Sequence, residues 1–210
     1  MIGAIAACHY FFEIILVFGL GQTQRVGWII FLKSMLAASA TLFVIKQFSK
    51  KWFGGKDFFQ VILINRVSAV DFVVCGLFGL FWAGVVTFLH RFFPAPAPTE
   101  IERLFQDPLS FFAGSVYAVA FAPFFEEVVF RGILFTFFKR VSNTVIAFIL
   151  VSFFFTGLHV AQMSGYWFGI LSVLSVSLIA TALRQRSNSI TFSVLFHLAY
   201  NATVLFNFWD

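Results

Sequence analysis

The sequence predicts an all-α fold: a polytopic transmembrane bundle of about seven helical spans around an intramembrane active-site cavity. Three observations predict it. The chain is 60% hydrophobic and 11% charged, with a mean hydropathy of +0.94; soluble domains are nearer half apolar and a quarter charged. Apolar runs of about 20 residues recur along it, which matches a hydrocarbon layer about 30 Å thick at about 1.5 Å per helical residue. Ionisable groups then stand inside those runs, where lipid would exclude them.

Taken in order, the first run covers 1–20 and carries Cys8, His9 and Glu13. It lacks the charged start, short apolar core and small-residue cleavage site of a signal peptide, so it reads as a span. The second covers 27–45. The third, 67–90, contains Asp71 and Cys75 and ends at His90 and Arg91. Pro94-Ala-Pro-Ala-Pro98 follows as a stiff extended segment, leading into an amphipathic stretch from Thr99. The fourth run, 109–138, is long enough to tilt or to break at Pro123. The fifth, sixth and seventh cover 143–162, 166–183 and 190–209. The chain therefore divides into three spans without a motif (1–93), a linker (94–108) and a core holding nearly all the candidate chemistry (109–210). No internal repeat is visible.

Charge gives orientation. The loops after the even spans hold Lys46, Lys50, Lys51, Lys56, Lys139, Arg140, Arg184 and Arg186 against Asp57. The loops after the odd spans hold Arg25, Arg91 and Arg103, offset by Glu100, Glu102 and Asp107. The positive-inside rule places the even loops and the N-terminus in the cytoplasm and Asp210 outside. The net charge of +5 is thus a topology signal; there is no basic face on a soluble domain, and no nucleic-acid partner is expected. The expected setting is an integral, multi-pass protein of the cell membrane in preference to the endoplasmic reticulum.

Several polar groups have plain structural readings. Cys8 and Cys75 are small packing residues. His9 hydrogen-bonds a neighbouring helix, and Glu13 and Asp71 make helix–helix contacts. His90 and Arg91 snorkel to the interface, and Trp28, Trp52, Trp167 and Trp209 are interfacial anchors.

The chemistry depends on spacing. In the run Phe121-Ala-Pro-Phe-Phe-Glu-Glu-Val-Val-Phe-Arg131, three ionisable groups lie within six residues. Each costs about 2.5–3.5 kcal/mol at bilayer depth on the gentlest scale. Glu127 and Arg131 are four apart and share a helix face, so they pair; Glu126, turned by about 100°, faces another helix. His197 and Asn201 are also four apart, and His159 follows Phe155 by one turn. Three helices can therefore aim a carboxylate, two imidazoles and a carboxamide at one cavity. That set suffices for amide hydrolysis: Glu126 and His159 hold and deprotonate a water, and His197 and Asn201 donate to the oxyanion. Straight helices oppose this meeting. Counted from the cytoplasmic span ends, Glu126 lies about 20 Å deep, His159 about 24 Å and His197 about 10 Å.

Three motifs carry a resemblance. Glu126-Glu127-Val-Val-Phe-Arg131 stands as Glu-Glu-x-x-x-Arg, Phe155-Thr-Gly-Leu-His159 as Phe-x-x-x-His, and His197-Leu-Ala-Tyr-Asn201 as His-x-x-x-Asn. In this order, each in its own span over about 109–205, they resemble the CPBP (CAAX protease and bacteriocin-processing, or Abi) family, which includes the type II CAAX prenyl endopeptidases. The resemblance implies an all-helical membrane protease. Glu126 and His159 would activate water, His197 and Asn201 would form the oxyanion hole, and Glu127, Arg131 and Phe155 would support them. It implies a peptide or protein substrate, a prenylated CAAX C-terminus in eukaryotic relatives; bacteriocin leaders, peptide pheromones and membrane-protein tails are equally compatible. No cofactor is required by this residue set. A zinc site from Glu126, His159 and His197 is the metalloprotease alternative.

Other intramembrane proteases fit worse. There is no His-Glu-x-x-His, no rhomboid-type glycine before Ser164, and no Gly-x-Gly-Asp. A reading from a different class stays open: a transporter, or a bacteriocin-immunity or scaffold protein, using the same buried polar residues without cleavage.

Overall fold

The computed structural model describes residues 35–36, 38–47, 51, 53–55, 58–62, 64, 67–95, 108–160, 163 and 165–207. The expected first span with Cys8, His9 and Glu13, the start of the second, Arg25, Trp28, Trp52, the amphipathic stretch before residue 108, Trp209 and Asp210 lie outside the described residues. Every regular element among the described residues is helical. Those that build the site are α1 (Ala69–His90), a continuous helical run over 108–141, α2 (Thr144–His159), α3 (Trp167–Ser187) and α4 (Ile190–Asn207).

Local chemistry sets the ends. Ser68 caps α1, its Oγ accepting from Asp71 N at 3.1 Å and donating to Asp71 Oδ2 at 2.7 Å. Asp71 is therefore a capping residue in the first turn, where a carboxylate also meets the positive helix end; the expected helix–helix contact gives way to this local bond. Asn143 caps α2, its Oδ1 accepting from Ile146 N at 3.0 Å. Asn188 ends α3 with φ 52°, a left-handed turn that asparagine tolerates. Residues 142–143 alone separate the 108–141 run from α2, and residues 188–189 alone separate α3 from α4, so each of these pairs runs antiparallel.

α1 and α3 are each long and apolar enough to cross a membrane, and α2 and residues 190–206 form shorter apolar helices. α1 shows one side to the surroundings through Val70, Val74, Leu77 and Phe81 and buries Cys75, Gly79 and Ala83 on the other. Cys75 is thus the packing residue expected.

The 108–141 run does not break at Pro123. It is α-helical over Pro108–Val116, π-helical over Tyr117–Phe121, α-helical over Ala122–Glu127, π-helical over Val128–Leu134 and α-helical again over Phe135–Val141. Proline lacks an N–H and would sever an α-helical bond. Here the wider register before it absorbs the loss: Ala122 N–H bonds Tyr117 O, five residues back. π-helical turns of this kind collect at functional sites, and Glu126 and Glu127 lie between two of them.

Two further expectations shift. α3 was expected to end at 183 with Arg184 in a cytoplasmic loop; the helix runs to Ser187 and Arg184 is buried. The depth mismatch between Glu126 and His159 also closes: fifteen residues separate Glu126 from Val141, and fifteen separate Thr144 from His159. The two side chains therefore stand at one level above a shared two-residue turn.

The core is continuous with the site. Val128 and Ile133 of the second π-helical stretch pack with Ile45, Phe53, Val61, Ile62 and Ile190. Gly132 lets Ile62 approach, since a methyl there would lie 3.1 Å from Ile62 Cγ2. Phe130, Phe135, Phe138, Val151 and Phe155 form the packing between 108–141 and α2.

Candidate active site

Arg131 is the foundation of the site. Its side chain is fully buried, with Nη1 donating to Glu127 Oε1 at 3.0 Å. Nη2 donates to Ser177 O at 3.0 Å and Ser177 Oγ at 2.9 Å, and Nε to Thr181 Oγ1 at 3.3 Å. The guanidinium carbon sits 4.4 Å from the centre of the Phe155 ring. A buried cation is tolerable only when it is paired and its donors are satisfied, and α3 completes that set. Ser177 and Thr181, four apart within an apolar helix, were missed at the level of sequence; that spacing in such a segment was the signal.

Glu127 is shared. Oε1 also accepts from His197 Nδ1 at 2.9 Å, while Oε2 is buried with no hydrogen-bond partner. One carboxylate oxygen thus joins the first and third motifs. Because a carboxylate only accepts, His197 carries its proton on Nδ1 and turns Nε2 to the other side.

Glu126 stands on that side. His197 Nε2 lies 3.8 Å from Glu126 Oε2, and His159 Nε2 lies 3.9 Å from Glu126 Oε1. His159 Nδ1 donates to Phe155 O at 2.8 Å, so its Nε2 is likewise the nitrogen turned toward Glu126. Phe155 stacks on His159 with centroids 4.6 Å apart; one aromatic ring therefore aligns the second-motif imidazole and covers Arg131. The Glu126 and His159 side chains are 28% and 19% exposed, against 5% for His197, so the pair opens outward from a closed base.

Asn201 follows His197 by one turn of α4, and its Nδ2 donates to Ala118 O at 2.8 Å. This bond originates at Pro123. In an α-helix Ala118 O would accept from residue 122, and in a π-helix from residue 123. Ala122 N–H is bound to Tyr117 O and Pro123 has no N–H, so the Ala118 carbonyl is released to Asn201. In the second π-helical stretch Phe135 N–H bonds Phe130 O, and Arg184 Nε donates to Arg131 O at 3.0 Å. Arg184 also donates to Asn188 Oδ1 at 3.3 Å. Neither Arg184 nor the role of Pro123 was legible beforehand, because both depend on a helical register that composition does not encode.

The structure thus brings Glu126, Glu127, Arg131, Phe155, His159 and His197 together. Asn201 stands beside them, with its hydrogen bond directed to Ala118 O. Further out, His90 does not simply reach for the interface: its Nδ1 pairs with Tyr166 Oη at 2.7 Å, and that hydroxyl donates to Phe93 O. Trp167 is exposed at the start of α3, as an anchor would be. The zinc alternative draws on Glu126, His159 and His197; among the described residues no three His, Cys, Asp or Glu side chains are arranged to hold one ion.

Compared with known protein families, residues 108–203 match the type II CAAX prenyl endopeptidase Rce1-like family. The match begins at the start of the 108–141 run, contains every motif residue above, and is consistent with the CPBP family of CAAX proteases. That family is one of membrane endopeptidases, which are hydrolases. No curated protein and no solved structure matches the chain.

Proposed function

We propose, on the premise that residues 108–203 are an Rce1-like domain, that the protein is an intramembrane endopeptidase in which Glu126 and His159 activate water. The observation that carries this reading is the placement of two imidazole Nε2 atoms 3.8 and 3.9 Å from the two oxygens of one carboxylate. These separations are too long for direct hydrogen bonds and suit a bridging water.

Glu126 takes a proton from that water as its oxygen attacks the scissile carbonyl, and His159 Nε2 accepts the second hydrogen and fixes its direction. The tetrahedral oxyanion then needs donors. His197 serves through Nε2 when that nitrogen carries a proton, and Asn201 offers the N–H not used on Ala118 O. Collapse breaks the C–N bond, and Glu126 returns its proton to the leaving amine.

The recurring apolar runs, with α1 and α3 of span length, support a bundle of about seven spans, and the loop charges support a cytoplasmic N-terminus; its proposed setting is the cell membrane. The substrate class is a peptide or protein end at the bilayer: a CAAX-type C-terminus, prenylated or not, or a maturing peptide. The test compares peptide termini in membranes from cells expressing the wild type and Glu126→Gln. New termini with the wild type alone identify the protease and its substrate. Matching profiles with equal expression transfer the reading to a transporter or an immunity protein.

A further inference from the structure

We infer that α1, which lies outside the Rce1-like match, is the backing element that fixes the position of His197 and Asn201, with Gly79 as its contact point. Several observations converge on this. A methyl group built on Gly79 would collide with the Phe196 carbonyl oxygen and lie 2.8 Å from Ala199 Cβ and 3.1 Å from Tyr200 N. Those contacts are backbone or a short side chain, so nothing can swing aside; α4 itself would have to move. Gly76 and Gly84, on the same helix, have nothing within 4 Å of such a methyl. The close approach is therefore local to Gly79. It is the kind of small-residue contact that lets helix backbones meet without a hydrophobic driving force.

The residues Gly79 touches precede the third motif or lie within it. Phe196 immediately precedes His197, and Tyr200 immediately precedes Asn201. Phe196 is fully buried, packed with Val176 and Ala180 of α3 and against Trp82 and Tyr200. Its ring meets Phe78 with centroids 5.3 Å apart. α1 is itself anchored to α3, because Trp82 Nε1 donates to Ser175 Oγ at 3.0 Å. α4 is thus held between a fixed plate on one side and Glu127, Ala118 O and Glu126 on the other. With one face blocked by backbone contact, His197 Nδ1 cannot retreat from Glu127 Oε1.

Gly79 is on this account a positioning residue, and its effect on cleavage rests on the protease reading above. The experiment needs a readout that does not. The chain has four histidines, so ring-nitrogen magnetic resonance of the full-length protein, labelled with ¹⁵N-histidine in detergent, can follow His197 directly. Gly79→Ala is compared with Gly76→Ala and Gly84→Ala, and cleavage is measured on the substrate that the terminus comparison identifies. The expected result is a displaced His197 Nδ1 signal with unchanged His90 signals in Gly79→Ala alone. The rate constant for cleavage falls about tenfold to a hundredfold, as a misplacement of about 1 Å can cost, with KM little changed. Adding Ala199→Gly, which removes one of the colliding groups, recovers part of both. Gly79→Ala with wild-type His197 signals overturns the inference whatever its cleavage rate, as does an equal displacement in Gly76→Ala. If the wild type cleaves nothing, the protease reading fails, and the His197 signal still decides this one.

Discussion

His197 Nδ1 lies 2.9 Å from Glu127 Oε1, a buried contact between residues seventy positions apart. It joins the first motif helix to the last. Because Arg131 Nη1 binds the same oxygen at 3.0 Å, the ion pair that neutralises charge in the core also fixes which nitrogen of His197 faces Glu126. Stability and chemistry share one atom here, and the two can be separated by substitution.

Replacing Glu126 by glutamine keeps the shape and removes the proposed base. Glu126 forms no bond within the buried base of the site, so the melting temperature in detergent should stay within about 2 °C of wild type, as expected for a change worth less than about 0.5 kcal/mol. Terminus production should vanish. Near wild-type cleavage would remove Glu126 from the mechanism.

Glu127→Ala behaves differently. It strands Arg131 at zero exposure and frees His197, and breaking a buried pair typically costs about 3–5 kcal/mol. Thermal melting of the detergent-solubilised protein should show a large drop, together with lost cleavage. An unchanged melting temperature would argue against the pair.

Asn201→Ala should lower the cleavage rate by about 10²–10³, the usual loss of one oxyanion donor. Pro123→Ala restores an N–H that competes for Ala118 O, so it should produce part of that loss by releasing Asn201. In the Asn201→Ala background it should cost nothing further. A double-mutant cycle decides this; additive losses would disconnect Pro123 from Asn201.

Phe155→Leu keeps an apolar side chain of similar bulk but removes the ring that stacks on His159 and covers Arg131. Cleavage should fall about tenfold or more while the protein still folds. A rate equal to wild type would show that His159 is oriented by Phe155 O alone.

Chelation separates the two water-activation schemes. Cleavage should persist after treatment with a strong zinc chelator. A loss restored by added zinc would favour the metalloprotease alternative on Glu126, His159 and His197.

The sequence by itself determined the helical class, the approximate limits of the elements from 67 onward, and the identity of the clustered residues. Apolar length sets a span, and four-residue spacing puts Glu127 with Arg131 on one face whatever the fold around them. It did not determine depth or register. Two-residue turns, Asn143 capping α2 and two π-helical stretches bring Glu126 and His159 level, against an expectation of mismatch. The first of those stretches, with Pro123, releases the Ala118 carbonyl that Asn201 captures. Ser177, Thr181 and Gly79 gained their meaning only from the helix packed against each. The physical reason is one of range. Hydropathy and side-chain spacing act within a turn or two of chain, whereas the satisfaction of a buried charge or a freed carbonyl is settled between helices.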